Sequence, residues 1–177
     1  MVKKTLVVVD MQRAFKYSEE AIDGCTALIK EFIAHKWPII FLEWHGEGHT
    51  YEELQSLCDG YKNVYFATKD QRDGSREVMN IVESHRLSKH FVVCGCYTEQ
   101  CVYKTVVGLY VRANTKPALV WDACSRGAGQ FYCTERLRVL KKEDFYKYLS
   151  FDDTLDAKLQ RAPQKVVKIV ENAKEIT

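Results

Sequence analysis

The feature that most constrains this chain is a regular alternation. From Thr5 to about Ser150, short runs rich in β-branched residues are separated by longer stretches of helical periodicity. Strand, helix, strand, repeated in this way, builds crossovers between parallel strands. It predicts an α/β domain of three layers around a doubly wound, mainly parallel six-stranded sheet. The expected strands are 5–10, 38–43, 64–67, 91–96, 117–122 and a weaker one near 145–148. Runs such as TLVVVD, PIIFLE and PALVWD are apolar almost throughout, as strands covered on both faces must be.

Between the strands, Ser18 followed by Glu19 and Glu20 marks a helix start with acidic residues at its positive end, and Ile22, Leu28, Ile29 and Phe32 form its buried face. A second helix over 76–85 uses Val78, Ile81 and Val82. A third over 99–113 turns Val102, Val106, Leu109 and Ala113 toward the sheet, with Thr98 as its N-cap. In the tail APQKVVKIVENAKE, Val166, Ile169, Val170 and Ala173 share one helical face. We therefore expect a single domain spanning 1–177, in which 155–177 is a C-terminal helical extension docked on its own core or on a second subunit.

Charge and cysteine content narrow the function. The 26 basic and 24 acidic residues are spread along the 177-residue chain without a long single-sign block, which argues against a nucleic-acid or membrane-surface partner. The apolar run in MVKKTLVVVD is too short for a signal segment, and no stretch approaches the roughly 18 apolar residues of a spanning helix. A cytoplasmic location, with thiols kept reduced, is the expectation. Seven cysteines, an odd number, make a disulfide framework a poor explanation.

In an open α/β sheet, ligands bind beyond the carboxyl ends of the strands. The first strand ends in Asp10 and the second in Glu43, the loop after the third carries Lys69, and the turn after the fourth leads to Cys101. Placed in the first turn of its helix and near a lysine, Cys101 is expected to have a lowered thiol pKa and to act as a nucleophile, with a carboxylate moving protons. The competing reading is an unreactive buried cysteine. Cys94 and Cys96 alternate along a strand and read as small core residues. A straight strand followed by a turn does not bring Cys94, Cys96 and Cys101 together tetrahedrally around zinc. Cys25, Cys58, Cys124 and Cys133 read as packing.

Three segments in order, LVVVDMQRAF, ATKDQRDGS and CGCYTEQCVYKT, together with LVWDACS, resemble the isochorismatase-like cysteine hydrolases, a family that includes nicotinamidases and N-carbamoylsarcosine amidases. The matching positions are Asp10, Gln12 and Phe15, then Lys69, then Gly95, Thr98, Cys101 and Val102. The resemblance implies a catalytic triad of Asp10 as acid/base, Lys69 as electrostatic partner and Cys101 as nucleophile. It also implies a cis peptide between Cys96 and Tyr97, and an oxyanion hole from the backbone N–H groups of Tyr97 and Cys101. The expected reaction is cleavage of a C–N bond in a small amide through a thioester, with Phe15, Trp44 and Tyr97 lining the substrate.

Glu43-x-His45 is similar to the Asp-x-His that opens the nicotinamidase metal site, but glutamate replaces aspartate and the family's further histidine has no counterpart. No cofactor is therefore expected to be required. Glu43, His45 and His49 are the donors at which a divalent metal could bind. The resemblance also implies a homo-oligomer, a dimer or tetramer. Two other functions fit the same residues: a thiol redox or peroxide-responsive protein using Cys101 with Cys96 as resolving partner, and a non-catalytic binding or assembly module.

Overall fold

The computed structural model describes residues 2–125, 145, 146, 149 and 155–176. Its sheet has the strands β1 (Thr5–Val9), β2 (Ile39–Trp44), β3 (Val64–Lys69), β4 (Phe91–Gly95), β5 (Ala118–Cys124) and β6 (Lys168–Val170) in the order β3-β2-β1-β4-β5-β6, every pair parallel. This is the doubly wound order. The chain leaves β1 toward one edge, returns, and builds the other half outward from β4.

Among the described residues, the α-helices with assigned bounds are α1 (Ile22–Ala34), α2 (Glu52–Ser56), α3 (Ser75–Ser84), α4 (Tyr103–Ala113) and the short α5 (Ala157–Gln160). α1 packs over β1 and β5, whereas α3 and α4 pack against one another, with α3 over β2 and β3. β1 and β4, the middle strands, are buried along their whole length, which explains their unbroken apolar sequences. The buried face of α1 is Cys25, Leu28, Ile29 and Phe32, with Ile22 only partly covered. That of α3 is Val78, Met79 and Val82, with Ile81 at its margin.

Three expectations change. Phe145 and Tyr146 are helical, not a strand, and the rest of 145–148 lies outside the described residues. The sixth strand comes instead from the tail, where Lys168–Val170 pairs with Ala118, Leu119 and Val120 of β5. The segment VVKIV suits a buried helix face and a short strand equally well, and the unpaired edge of β5 decides for the strand. Of the expected C-terminal helix, only Ala157–Gln160 is α-helical, capped by the Asp156 carboxylate on the N–H groups of Lys158 and Leu159. Finally, Lys69 is the last residue of β3 rather than part of the following loop.

Candidate active site

The topological switch point of this sheet lies between β1 and β4, and the four chemically capable strand-end residues gather there. Asp10 follows β1 with φ 49°, a left-handed conformation that aspartate tolerates better than most side chains. Its N–H donates to Leu42 O at 2.8 Å, tying it to β2. The carboxylate is buried, and Oδ2 accepts a 2.8 Å hydrogen bond from Nζ of Lys69, whose side chain has no solvent exposure. Asp10 Oδ1 has no conventional hydrogen-bond partner among the described residues. The Cys101 thiol is close enough to the carboxylate to hydrogen-bond it and to favour its charge.

The segment before Cys101 explains the spacing of Gly95, Thr98 and Cys101. Gly95 has φ 119°, and a Cβ there would overlap the Val9 carbonyl oxygen, so only glycine lets β4 pass β1 at this point. Cys96 N–H donates to that same Val9 oxygen at 2.8 Å. The Cys96–Tyr97 peptide bond is cis, at the position that the resemblance implied. Thr98 is not the helix cap. Its N–H and hydroxyl both donate to Ser125 O, at 3.1 and 2.5 Å, and Ser125 N–H returns a bond to Gly95 O. These bonds fasten the turn to the end of β5. Thr98–Val102 then forms a π-helical turn leading into α4, and Cys101 lies within it, 6% exposed.

The electrostatics reverse one expectation. Rather than being lowered, the Cys101 pKa is pushed up to about 12, first by burial and next by the negative charge of Asp10, with Lys69 opposing both. Burial likewise raises the Asp10 pKa against the lowering influence of Lys69. Desolvation and a neighbouring carboxylate outweigh the favourable charge of Lys69. The site therefore holds a thiol whose ionisation is disfavoured beside the hydrogen-bonded Asp10–Lys69 pair.

The wall residues divide. Phe15 and Tyr97, both half-buried, meet edge to face with centroids 5.9 Å apart. The Trp44 ring instead lies over the Lys69 ammonium at 4.2 Å. Gln12, in the opening D-x-Q, reveals its purpose here: its Oε1 accepts from Trp44 N–H at 2.8 Å while Nε2 donates to Trp44 O and Gly48 O at 3.0 and 2.7 Å. Ser125 was not identified from the sequence as part of this framework, although its position after the matching Asp-Ala of LVWDACS was the available signal.

Glu43, His45 and His49 do not converge. Glu43 is buried and holds the following loop, with Oε1 accepting from Thr50 N–H at 2.7 Å and Oε2 lying 3.4 Å from His49 Nδ1. His45 turns to solvent and pairs with Asp70 at 3.4 Å. Among the described residues, no group of three or more His, Cys, Asp or Glu side chains is arranged to hold a metal ion. Cys25, Cys58, Cys94, Cys96 and Cys124 are buried and form no disulfide among the described residues, with Cys25 and Cys94 in sulfur contact at 3.6 Å. Cys133 lies outside the described residues.

A six-stranded, all-parallel sheet with helices on both faces is the fold of the isochorismatase-like hydrolases. The isochorismatase domain model matches residues 4–142, and the chain belongs to that family. A comparison with curated protein sequences returns no match. Solved structures of the same fold include a nicotinamidase from Staphylococcus aureus, 20% identical, with a TM-score of 0.62 over 71% of this chain and 84% of that one. A ribonuclease from Caenorhabditis elegans is 19% identical, with a TM-score of 0.68 over 98% and 79% of the two chains. An octameric hydrolase of unknown specificity from Escherichia coli is 13% identical, with a TM-score of 0.64 over 96% and 75%. No helix among the described residues is long and apolar enough to cross a membrane.

Proposed function

We propose that this chain is a cysteine hydrolase that cleaves the C–N bond of a small amide through a thioester, with Asp10, Lys69 and Cys101 as its catalytic residues. The observation that carries the reading is the dry Asp10–Lys69 pair at 2.8 Å with the Cys101 thiol beside it. Burying a carboxylate and an ammonium is expensive, and active sites are where such arrangements recur.

In this reading the Cys101 sulfur attacks the amide carbonyl carbon as its proton passes to Asp10. As Asp10 becomes neutral, the charge that opposes the thiolate disappears while the Lys69 charge that favours it remains, so the transfer is partly compensated within the site. The N–H groups of Tyr97 and Cys101 hold the developing oxyanion. Tyr97 N–H has no backbone acceptor among the described residues, which suits that task. Asp10 then protonates the leaving nitrogen, the C–N bond breaks and an amine or ammonia departs. Water, deprotonated by Asp10, attacks the thioester, and the carboxylic acid leaves as the proton returns to sulfur. Phe15 and Tyr97 wall the substrate, and no metal is required. The octameric neighbour supports assembly of this chain into a homo-oligomer.

The test is ammonia release from a panel of small primary amides, nicotinamide included, by wild type and Cys101→Ala. Turnover that vanishes in the variant, with an acyl adduct on the Cys101 peptide after acid quench, supports the proposal. Equal activity in the two proteins refutes it.

A further inference from the structure

We propose that Trp44 is a positioning residue for the nucleophile: its indole face holds the Lys69 ammonium in place beside Cys101, so that the aromatic ring at position 44 sets how readily the thiol reacts. This inference rests on the reading of Cys101 as nucleophile and adds a role to a residue for which the sequence reading expected only a substrate contact.

The geometry is specific. Trp44 ends β2 and Lys69 ends β3, and the two are paired in the parallel register. The Lys69 ammonium has three N–H donors and no solvent exposure. Among the described residues, its partners are Asp10 Oδ2 at 2.8 Å, the Cys101 thiol, and the Trp44 ring at 4.2 Å. Trp44 itself is held by both of its backbone polar groups, which bond the two ends of the Gln12 side-chain amide. The ring is thus fixed by one of the opening motif's residues against the cation that partners another.

An aromatic ring suits this position for an electrostatic reason. Tryptophan presents the most favourable π face for a cation. It attracts the ammonium through its quadrupole and brings no net negative charge. A carboxylate in its place would hold Lys69 as well but would oppose thiolate formation, as Asp10 already does. The ring also keeps water from the ammonium, and the charge then acts on Cys101 with less screening.

The experiment replaces Trp44 site-specifically with mono-, di- and trifluorotryptophan, which are nearly isosteric but have progressively weaker π faces. The readout is the rate of Cys101 carbamidomethylation by iodoacetamide at pH 8, followed by peptide mass spectrometry, with Cys25 and Cys94 as internal references. The rate at Cys101 should fall stepwise, to about a tenth in the trifluoro protein. Trp44→Leu should fall further, and Trp44→Phe should recover part of the loss. Equal rates across the fluorinated series would overturn the proposal, even if Trp44→Leu is slow, because packing alone would then account for the residue. If wild-type Cys101 reacts no faster than Cys25 and Cys94, the nucleophile reading fails first and this proposal fails with it.

Discussion

Replacing Asp10 by asparagine should accelerate alkylation of Cys101 while abolishing hydrolysis. The thiol is pushed up from an ordinary 9.0 to about 12, with burial the larger cause and the Asp10 charge the next. A unit charge about 4 Å away across an effective dielectric of about 20 contributes about 4 kcal/mol, or about three pKa units. Lys69 keeps its charge in both proteins and drops out of the difference, while the asparagine amide retains a dipole toward the thiol, so the pKa should fall by about two when the charge is removed. Below the pKa, each unit is a tenfold change in thiolate, so the Asp10→Asn protein should alkylate at Cys101 about 100-fold faster at pH 8. Amide turnover should fall by about 10²–10⁴, since no group remains to protonate the leaving nitrogen. The assay is iodoacetamide labelling with peptide mapping, and retained protection of Cys25 and Cys94 shows that the variant is folded. Slower alkylation in Asp10→Asn would refute the reasoning, because Asp10 would then be making the thiolate rather than suppressing it.

Lys69→Met leaves the buried Asp10 carboxylate without its partner and should destabilise the fold by about 3–5 kcal/mol at neutral pH, with most of that recovered in the Asp10→Asn, Lys69→Met double variant. The sign with pH follows from Asp10, whose folded pKa is already raised and rises further without Lys69. The folded state then binds the extra proton, so urea denaturation should show the defect shrinking on acidification and growing as the pH rises through the folded pKa. Gly95→Ala, with a Cβ against the Val9 carbonyl at φ 119°, should lose more than about 3 kcal/mol or fail to fold, as thermal melting and soluble yield will show. Glu43→Ala removes the acceptor of Thr50 N–H and should lower stability by about 2 kcal/mol, with faster proteolysis in the loop 46–49. Treatment with a strong chelator should leave amide turnover unchanged, because Glu43 is engaged with the Thr50 N–H and His45 is turned away toward Asp70.

The doubly wound architecture was determined by the sequence because hydrophobic periodicity is a local property: a buried parallel strand must be apolar on both faces, and a helix on its surface must repeat at about 3.6 residues. The strand-end residues Asp10, Lys69 and Cys101 were legible for the same reason, since a rule about carboxyl ends converts local strand positions into one shared edge. Tertiary structure decided the rest. The sixth strand went to Lys168–Val170 because three residues carry too little periodicity to choose between strand and helix, and the exposed edge of β5 made the choice. The direction of the Cys101 pKa shift is a difference between burial and two opposed charges, one of them from a lysine 59 residues distant from its aspartate partner. Trp44 covers the Lys69 ammonium and Glu43 anchors the following loop, contacts that residue spacing did not announce, because each is defined by what the fold brings opposite it. Residue type and spacing specify which groups reach the site. Their charge states and partners depend on distances and burial that exist only once the chain has folded.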